Sequence, residues 1–212
     1  MNGTELQTRI EAGEKHFIGI DLQGVNLARA DLHGIDLHEA DLTDATLAQA
    51  DLTGADLRGA TLVGCDLHGA NLAEARLGRA NLSDADCQGA DLHGADLHQA
   101  DLISANLAGA DLHGADLHGA VLHDAILENA DLHGASLRRA DLIGADLHEA
   151  VLHGADLQGA DLQGTILTEA DLAEANLQGA ILKADLLGAD LQGAILTETT
   201  MPDDTFDNSI VR

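Results

Sequence analysis

Histidine and carboxylate side chains dominate the chemistry open to this chain, and they recur at fixed spacing. Eleven of the 12 histidines directly follow a Leu and stand two residues after a position that is most often Asp, as in the segment 91–93. Four of them recur at every fourth five-residue step, namely His93, His113, His133 and His153. Imidazole and carboxylate groups bind transition metals, and imidazole also titrates near pH 6. Whether these groups meet depends on the elements that carry them.

A five-residue pattern organises the chain from Phe17 to Leu182. Steps of five from Leu22 to Leu182 give 33 positions, of which 32 are Leu and one is Cys87. Two residues before each of these positions, Ala fills 28 of the 33. The exceptions are Ile20, Val25, Ile35, Cys65 and Thr165. So strict a period indicates a repeat architecture.

A period of five fits neither an α-helix nor a continuous strand. Five residues advance about 500° around an α-helix, so the leucines would spiral over its whole surface. In a continuous strand, an odd step would send successive leucines to opposite faces. A short extended piece followed by a turn fits the pattern, because Ala and Leu then point to one side and the polar positions to the other. Gly ends many repeats, as at Gly94 and Gly114, where a turn tolerates it best.

These repeats, typified by ADLHG at residues 90–94, resemble the consensus A(D/N)LXX of the pentapeptide-repeat proteins. The resemblance extends over nearly the whole chain and is closest to the cyanobacterial members. It implies an all-β solenoid, a right-handed quadrilateral β-helix with four pentapeptides in each coil. Residue n would then lie over residue n+20, at a spacing of roughly 4.8 Å.

Under this register, the four histidines at every fourth repeat would form one column on one face. Asp91, Asp111 and Asp131 would form a parallel column beside the first three of them. Such a column could chelate a transition metal between coils, or become charged near pH 6. The alternative is that His and Gln are interchangeable polar residues at this position. On that interpretation, which we favour, no metal and no cofactor is bound.

The sequence does not favour an enzyme. An axis filled with Leu and Ala leaves no cleft for a substrate, and the available serines are scattered over the outside. These serines are Ser83, Ser104, Ser136 and Ser209. Cys65 and Cys87 occupy inward positions, so we expect packed, reduced thiols rather than reactive ones. No catalytic residue is therefore predicted.

The acidity of the chain is its sharpest functional signal. The net charge is −27, and a solenoid of nearly ten coils would be roughly 47 Å long at strand spacing. This gives about one net charge per 1.7 Å, close to the axial charge density of duplex DNA. The resemblance implies an activity known in the family, imitation of DNA on gyrase and topoisomerase IV. The outward carboxylates that would carry it include Asp91, Asp96, Asp111 and Asp116.

The acidity is equally compatible with roles that do not involve imitation of DNA. Asp or Asn before Leu belongs to the repeat consensus, and acidity keeps a protein rich in β edges soluble. Direct binding of nucleic acid is not expected, because the net charge is repulsive and the chain has no Trp or Tyr on which bases could stack.

The expected faces of the solenoid differ in their basic and apolar residues, which favours binding of a protein partner at one of them. One face would gather five arginines with His98 and His118 between them, and these are Arg58, Arg76, Arg79, Arg138 and Arg139. Ile103, Val121 and Ile143 would be diagonal neighbours in successive coils, and exposed apolar strips often mark protein contacts. As an alternative, single outward aliphatic residues are common and β-branched residues suit strands. The candidate partner surface is Ile103, Val121, Ile143, Arg58, Arg76 and Arg79.

The two ends of the repeat differ from its middle. Residues 1–16 depart from the pattern, and the apolar pair Leu6 and Ile10 predicts a short helix that covers the first coil. The repeat extends over residues 17–206, and residues 207–212 form a tail. Near residues 183–185 the phase slips, since Leu186 follows Leu182 by four residues. This slip predicts either a tolerated deletion at a corner or a bend that sets off the last coil.

The sequence as a whole predicts a non-enzymatic, rigid protein-interaction scaffold with an unidentified protein partner. The alternative function is a DNA mimic that modulates DNA gyrase or topoisomerase IV, the type II topoisomerases. With no signal-peptide pattern and no apolar run of membrane-span length, we expect a cytoplasmic protein without a membrane contact. The oligomeric state stays open between a monomer and an end-to-end or face-to-face homodimer.

Overall fold

The structure, a computed structural model, describes residues 3–202. Nearly all of it consists of one repeated backbone unit. One helix, α1, spans Gly3–Glu11. After it, single-residue parallel β-bridges link each position to the one four repeats later, from His16 with Asp36 to Asp161 with Ile181. The bridges recur at every fifth residue and return after four repeats, so each coil contains four of them. The chain is a solenoid of pentapeptide repeats, as the sequence predicts.

Hydrogen bonds between coils hold each repeat to both of its neighbours. In the repeat 90–94, the N–H of Leu92 donates to the carbonyl of Asp111 at 2.7 Å. The N–H of Asp91 donates in the opposite direction, to the carbonyl of Ala70 at 2.9 Å. Because every coil satisfies its backbone groups through adjacent coils, the solenoid is built from nearest-neighbour contacts.

A tight turn closes each repeat. The N–H of Ala95 donates to the carbonyl of Leu92 at 3.0 Å, and Gly94 between them has a φ of 61°. A positive φ at this place in a hydrogen-bonded turn is the pattern of a type II turn, which favours Gly. Other repeats place a side chain in the same conformation, including Glu74 at 56° and Arg139 at 55°. For such residues the left-handed conformation costs about 1–2 kcal/mol.

The core is the axis of the solenoid, filled by the Leu and Ala positions. Leu112 and Leu117 are fully buried, as are nearly all of their equivalents along the axis. In the first coil the bulkier Ile20 and Val25 replace Ala and pack against the core while partly exposed. Thr165 also lies in the Ala column, and its hydroxyl donates to the carbonyl of Leu162 at 2.8 Å. The inward hydroxyl is therefore satisfied within its own turn.

Helix α1 covers the first coil. Leu6 is fully buried against the core, and Ile10 is partly buried beside it. Arg9 forms an ion pair with Glu14, and its guanidinium carbon lies 5.0 Å from the centre of the Phe17 ring. These contacts fix the helix over an edge that would otherwise leave backbone groups unpaired. No helix within residues 3–202 has the length and apolar character needed to span a bilayer.

The shortened repeat near residue 183 changes the register without ending the coil. Beyond it the bridges link positions that are one residue closer in sequence, such as Ile166 with Asp185. The N–H of Asp185 donates to the carbonyl of Thr165 at 2.9 Å, so the ladder is unbroken. Leu186 and Leu191 remain buried in the new phase. The slip is thus a deletion accommodated at a corner. Residues 203–206 of the predicted repeat and the tail 207–212 lie outside the described residues.

Candidate functional site

The register sorts every outward side chain onto one of four faces, and two adjacent faces carry most of the candidate residues. The arginine face comprises residues 36–39, 56–59, 76–79, 96–99, 116–119, 136–139, 156–159 and 176–179. The histidine face comprises residues 31–34, 51–54, 71–74, 91–94, 111–114, 131–134, 151–154 and 171–174. On both, the position before Leu and the two positions after it reach the surface.

Most outward Asp residues have a structural role that the sequence reasoning missed. Oδ1 of Asp91 accepts the backbone N–H of His93 at 3.1 Å, and Oδ1 of Asp116 accepts that of His118 at 2.9 Å. Asn71 makes the same bond at 3.0 Å. These are Asx turns, in which the side-chain oxygen stabilises the turn that follows. The signal was present in the sequence, because Asp and Asn interchange at this position when an acceptor rather than a charge is required.

The four carboxylates considered for DNA mimicry divide between the two faces. Asp91 and Asp111 lie on the histidine face, and Asp96 and Asp116 lie on the arginine face. In each of them Oδ1 accepts the backbone N–H two residues later. At Asp111, burial acts to raise the pKa of the carboxyl, but hydrogen bonds from His113 outweigh it and the pKa is lowered. In all four, one carboxylate oxygen therefore already serves the fold.

The predicted histidine column forms, but as two separate stacks. The rings of His93 and His113 lie parallel with centroids 5.1 Å apart, and those of His133 and His153 lie 5.4 Å apart. Nδ1 of His93 lies 2.7 Å from Oδ1 of Asp91, and this hydrogen bond raises the pKa of the imidazole. Within this ladder of rings, His93 and His113 each pair with the carboxylate two residues earlier, Asp91 and Asp111.

The geometry of this ladder does not suit a metal ion. Parallel rings about 5 Å apart cannot both place a nitrogen at about 2.1 Å from one ion. Within residues 3–202, no group of three or more His, Cys, Asp or Glu side chains converges in a way that could hold one. Among the described residues, the side chains of the histidine column are therefore not arranged as a metal site.

The arginine face collects the basic side chains of the central coils. All five Arg and Lys residues between Arg29 and Lys183 lie on it, at Arg58, Arg76, Arg79, Arg138 and Arg139. The segregation is a property of the register, because these residues are up to 81 positions apart in the sequence. The sequence prediction of a common face for them agrees with the bridge pattern.

The arginines differ in how well they are paired. Nε of Arg58 donates to Asp56 Oδ1 at 2.7 Å, and Nη1 of Arg76 lies 3.2 Å from Oδ2 of the same carboxylate. The hydrogen bond from Arg58 lowers the pKa of Asp56. Nε of Arg79 donates to the neutral amide oxygen of Gln99, at 3.0 Å. One carboxylate therefore serves two guanidinium groups, and a third has no anionic partner within hydrogen-bond distance among the described residues.

The second arginine cluster, Arg138 and Arg139, lies three coils beyond Arg76 and Arg79. Nη1 of Arg138 lies 3.0 Å from Asp156 Oδ2. Arg139 is exposed, and its guanidinium makes no hydrogen bond or ion pair with any residue in the range 3–202. The unbonded guanidinium of Arg139 and the weakly paired one of Arg79 occupy the same position of their repeats, the last residue before the corner.

A recess of about 370 Å³ interrupts the arginine face at Gly78. Gly78 stands where the other repeats of this column carry a side chain, and the ring of His98 leans into the free space. A Cβ at position 78 would collide with Cε1 of His98. Arg58 and Arg79 line the recess, as do His38 and Glu39 on the preceding coil. It is an open depression whose lining includes two guanidinium groups and one carboxylate.

The isoleucine strip, defined as Ile103, Val121 and Ile143, lies on the face that follows the arginine face along each coil. Ile103 is 38% exposed, but Val121 and Ile143 are only half-buried and offer less apolar surface than expected. Ile126 and Ile166 are each 41% exposed on another face, so they are at least as accessible. Exposure depends on the size of the side chains in the coils above and below, which the repeat pattern alone does not specify.

The two cysteines are buried and free, in keeping with packed thiols. Sγ of Cys65 donates to the carbonyl of Ala45 at 3.1 Å. Burial raises the pKa of Cys65 to about 12, and it raises that of Cys87 as well. Neither thiol is a reactive nucleophile.

The sequence family follows from these repeats. The family model for pentapeptide repeats matches the chain in eight copies, over residues 16–44, 40–79, 80–119, 115–154, 145–183 and 155–203. The chain belongs to the pentapeptide repeat family. Among solved structures it is similar to HetL, a pentapeptide repeat protein involved in heterocyst differentiation regulation from the cyanobacterium Nostoc sp. strain PCC 7120. The two are 38% identical, with 98% of this chain and 100% of HetL covered and a TM-score of 0.61.

Two further solved structures are less similar. A pentapeptide repeat protein from the Arabidopsis thaliana thylakoid lumen is 30% identical, with 56% of this chain and 72% of that chain covered and a TM-score of 0.38. QnrB1, a plasmid-mediated fluoroquinolone resistance protein, is 22% identical, with 92% and 87% covered and a TM-score of 0.38. No curated protein matches the sequence.

Proposed function

We propose that this pentapeptide repeat protein is a non-enzymatic, rigid scaffold that regulates a protein partner by binding it, in the cytoplasm. The observation that carries the proposal is the similarity to HetL, which extends over 98% of this chain and all of HetL. HetL is described as involved in the regulation of heterocyst differentiation. The proposal includes the right-handed, quadrilateral form of the coil.

The construction of the solenoid supports a role in binding. Because Leu and Ala fill the axis, a ligand would have to be bound on the outside of the coils. Successive coils are joined by backbone hydrogen bonds on all four sides, so outward side chains keep fixed distances from one another. A partner would therefore meet a preorganised surface, and binding would not carry the entropic cost of ordering it.

The proposed partner surface joins the arginine face to the isoleucine strip across one corner. Ile103 supplies the exposed apolar centre, with Val121 and Ile143 beside it, and Arg58, Arg76 and Arg79 lie around the corner. An apolar centre with Arg nearby is a common composition for the energetically important part of an interface.

Affinity capture followed by a binding measurement tests the proposal. A tagged protein is used to isolate a partner, whose Kd is then compared for the wild type, Ile103→Asp and Ile126→Asp. Ile126 is a matched control, since it is an equally exposed isoleucine on another face. We expect Ile103→Asp to weaken binding by about 30-fold or more, the loss expected at a central anchor, and Ile126→Asp to change it little. Equal Kd values for all three proteins, or no specific partner, would contradict the proposal.

A second candidate function, mimicry of DNA toward a type II topoisomerase, is favoured by the net charge of −27. The relevant carboxylates are Asp91, Asp96, Asp111 and Asp116. Replacing all four by Asn removes four charges but keeps the acceptor for the turn, so it separates mimicry from stability. In a gyrase supercoiling assay at two salt concentrations, mimicry predicts inhibition that salt weakens and that the fourfold Asn variant loses. No effect at high molar excess would rule it out for that gyrase.

A further inference from the structure

The central coils separate positive from negative charge by face. Over residues 56–139, the arginine face carries five guanidinium groups against three carboxylates, Asp56, Asp96 and Asp116. The other three faces carry ten carboxylates over the same residues and neither Arg nor Lys. With Asp156, which pairs with Arg138 from the next coil, five guanidinium groups stand against four carboxylates. A solenoid with a net charge of −27 thus has one face that is slightly positive in its central coils. Such a surface attracts an anionic group that every other face repels.

Guanidinium groups on this face have capacity for further acceptors. Asp56 is shared between Arg58 and Arg76, and Arg79 is bonded to a neutral amide. The guanidinium of Arg139 has no partner within the described residues. A guanidinium fork binds a carboxylate through two parallel N–H donors, which is among the stronger polar contacts in proteins. The unoccupied donors therefore suit carboxylates supplied from outside the chain.

The spacing of the two arginine clusters limits the shape of what binds. Arg79 and Arg139 are three coils apart in the same column, a distance of roughly 14 Å. An extended polypeptide covers this distance in about four residues. The recess at Gly78 adds space for a side chain between the walls formed by Arg58 and Arg79.

We propose that the arginine face docks an acidic, extended segment of a partner protein, with carboxylates about four residues apart that bind at Arg79 and Arg139. This inference rests on the proposed scaffold function and adds the chemistry of the partner. It requires a partner of opposite charge to the one that DNA mimicry requires, since a topoisomerase surface that binds DNA is basic.

The chain contains a matched control for Arg79. Arg29 has a φ of 61°, against 60° for Arg79, and its Nε donates to Gln49 Oε1 at 3.0 Å, as Arg79 does to Gln99. Arg29 lies on a different face, without other basic residues of the central coils. Replacing either Arg by Gln removes the same charge and the same contact from the same backbone conformation.

The probe is a fluorescent peptide with two Glu-Glu pairs whose first residues are four positions apart, and a Gln version of it serves as the uncharged reference. Binding is followed by fluorescence anisotropy, and the bound site is located from backbone amide shifts. We expect the Glu peptide to bind more tightly than the Gln peptide and to shift residues 76–79 and 136–139. The double variant Arg79→Gln/Arg139→Gln should weaken binding at least tenfold, and Arg29→Gln should leave it within twofold.

Three results would overturn the inference: equal binding of the Glu and Gln peptides, shifts confined to other faces, or an equal loss with Arg29→Gln. A captured partner protein that binds the double variant as tightly as the wild type also overturns it, while leaving the scaffold function intact. If the peptide binds as expected but no partner is retained, the scaffold proposal fails and the acidic-segment site stands. A urea midpoint unchanged in the double variant shows that a loss of binding is not a loss of fold.

Discussion

The arginine face and the histidine face share one backbone and differ only in their outward side chains. Leu117 behind the first and Leu112 behind the second are equally buried, and both faces use the same turn and the same inter-coil bonds. Yet one face concentrates guanidinium groups, and the other stacks imidazole rings on one another. The comparison shows that inward positions determine the fold and outward positions determine what can bind. Each set can therefore change without the other.

The largest expected effect is in the core and should be the same behind both faces. Leu112→Ala and Leu117→Ala each remove a fully buried side chain, which costs about 2–5 kcal/mol of the free energy of unfolding. Urea denaturation measures both. A much larger loss behind one face would show that the two faces do not share one evenly packed axis.

The next effect concerns the turn bond of the outward Asp residues. Asp111→Ala removes the acceptor for the N–H of His113 and should cost about 1 kcal/mol, whereas Asp111→Asn keeps the acceptor and should cost much less. Asp116 provides the same test on the arginine face, through its bond from His118. If Asn proves as costly as Ala in urea denaturation, the charge matters to the fold and the Asx-turn interpretation is wrong.

The packing of the inward Leu and Ala positions could be predicted from the sequence. The exposure and contacts of the outward side chains could be predicted only in part. The Leu and Ala columns imply the register, because an extended piece and a turn are needed to bring residues five apart to one side. Val121 and Ile143 were expected to be exposed, but their neighbours half-bury them. The histidine column divides into two stacks, and in the first of them ring stacking competes with hydrogen bonds to Asp91 and Asp111. Such local competition between side chains leaves no trace in a periodic pattern.

A smaller effect, this time an increase in stability, is expected where a turn holds a residue other than Gly at positive φ. Glu74→Gly on the histidine face and Arg139→Gly on the arginine face should each raise the free energy of unfolding by roughly 1 kcal/mol. Only Arg139→Gly should also weaken the binding of the acidic peptide. Gly94→Ala, at a φ of 61°, is the reverse change and should destabilise the protein. Stabilisation by Arg139→Gly with full peptide binding would remove Arg139 from the proposed site.

The smallest effect is a pH dependence confined to the histidine face. The hydrogen bond to Asp91 raises the pKa of His93 above its ordinary value of 6.5. The resulting contribution to stability is fully present below the pKa of the unfolded chain, near 6.5, and is lost as pH rises through the higher folded value. An NMR titration of the His93 ring should give a pKa above 6.5, and Asp91→Asn should lower it. An unchanged value in Asp91→Asn would exclude the carboxylate as the cause.

Because four repeats make one coil, the distance between two outward groups along the solenoid and the angle between them around it can be changed independently. Deleting one whole coil of four repeats between Arg79 and Arg139 would bring the two groups closer by roughly 4.8 Å and keep them on one side. Deleting a single repeat would instead rotate Arg139 by a quarter turn. The shortened repeat near residue 183 shows that the backbone accepts a change of length at a corner. The number of residues between two docking groups therefore sets both their distance along the solenoid axis and the angle between them around that axis.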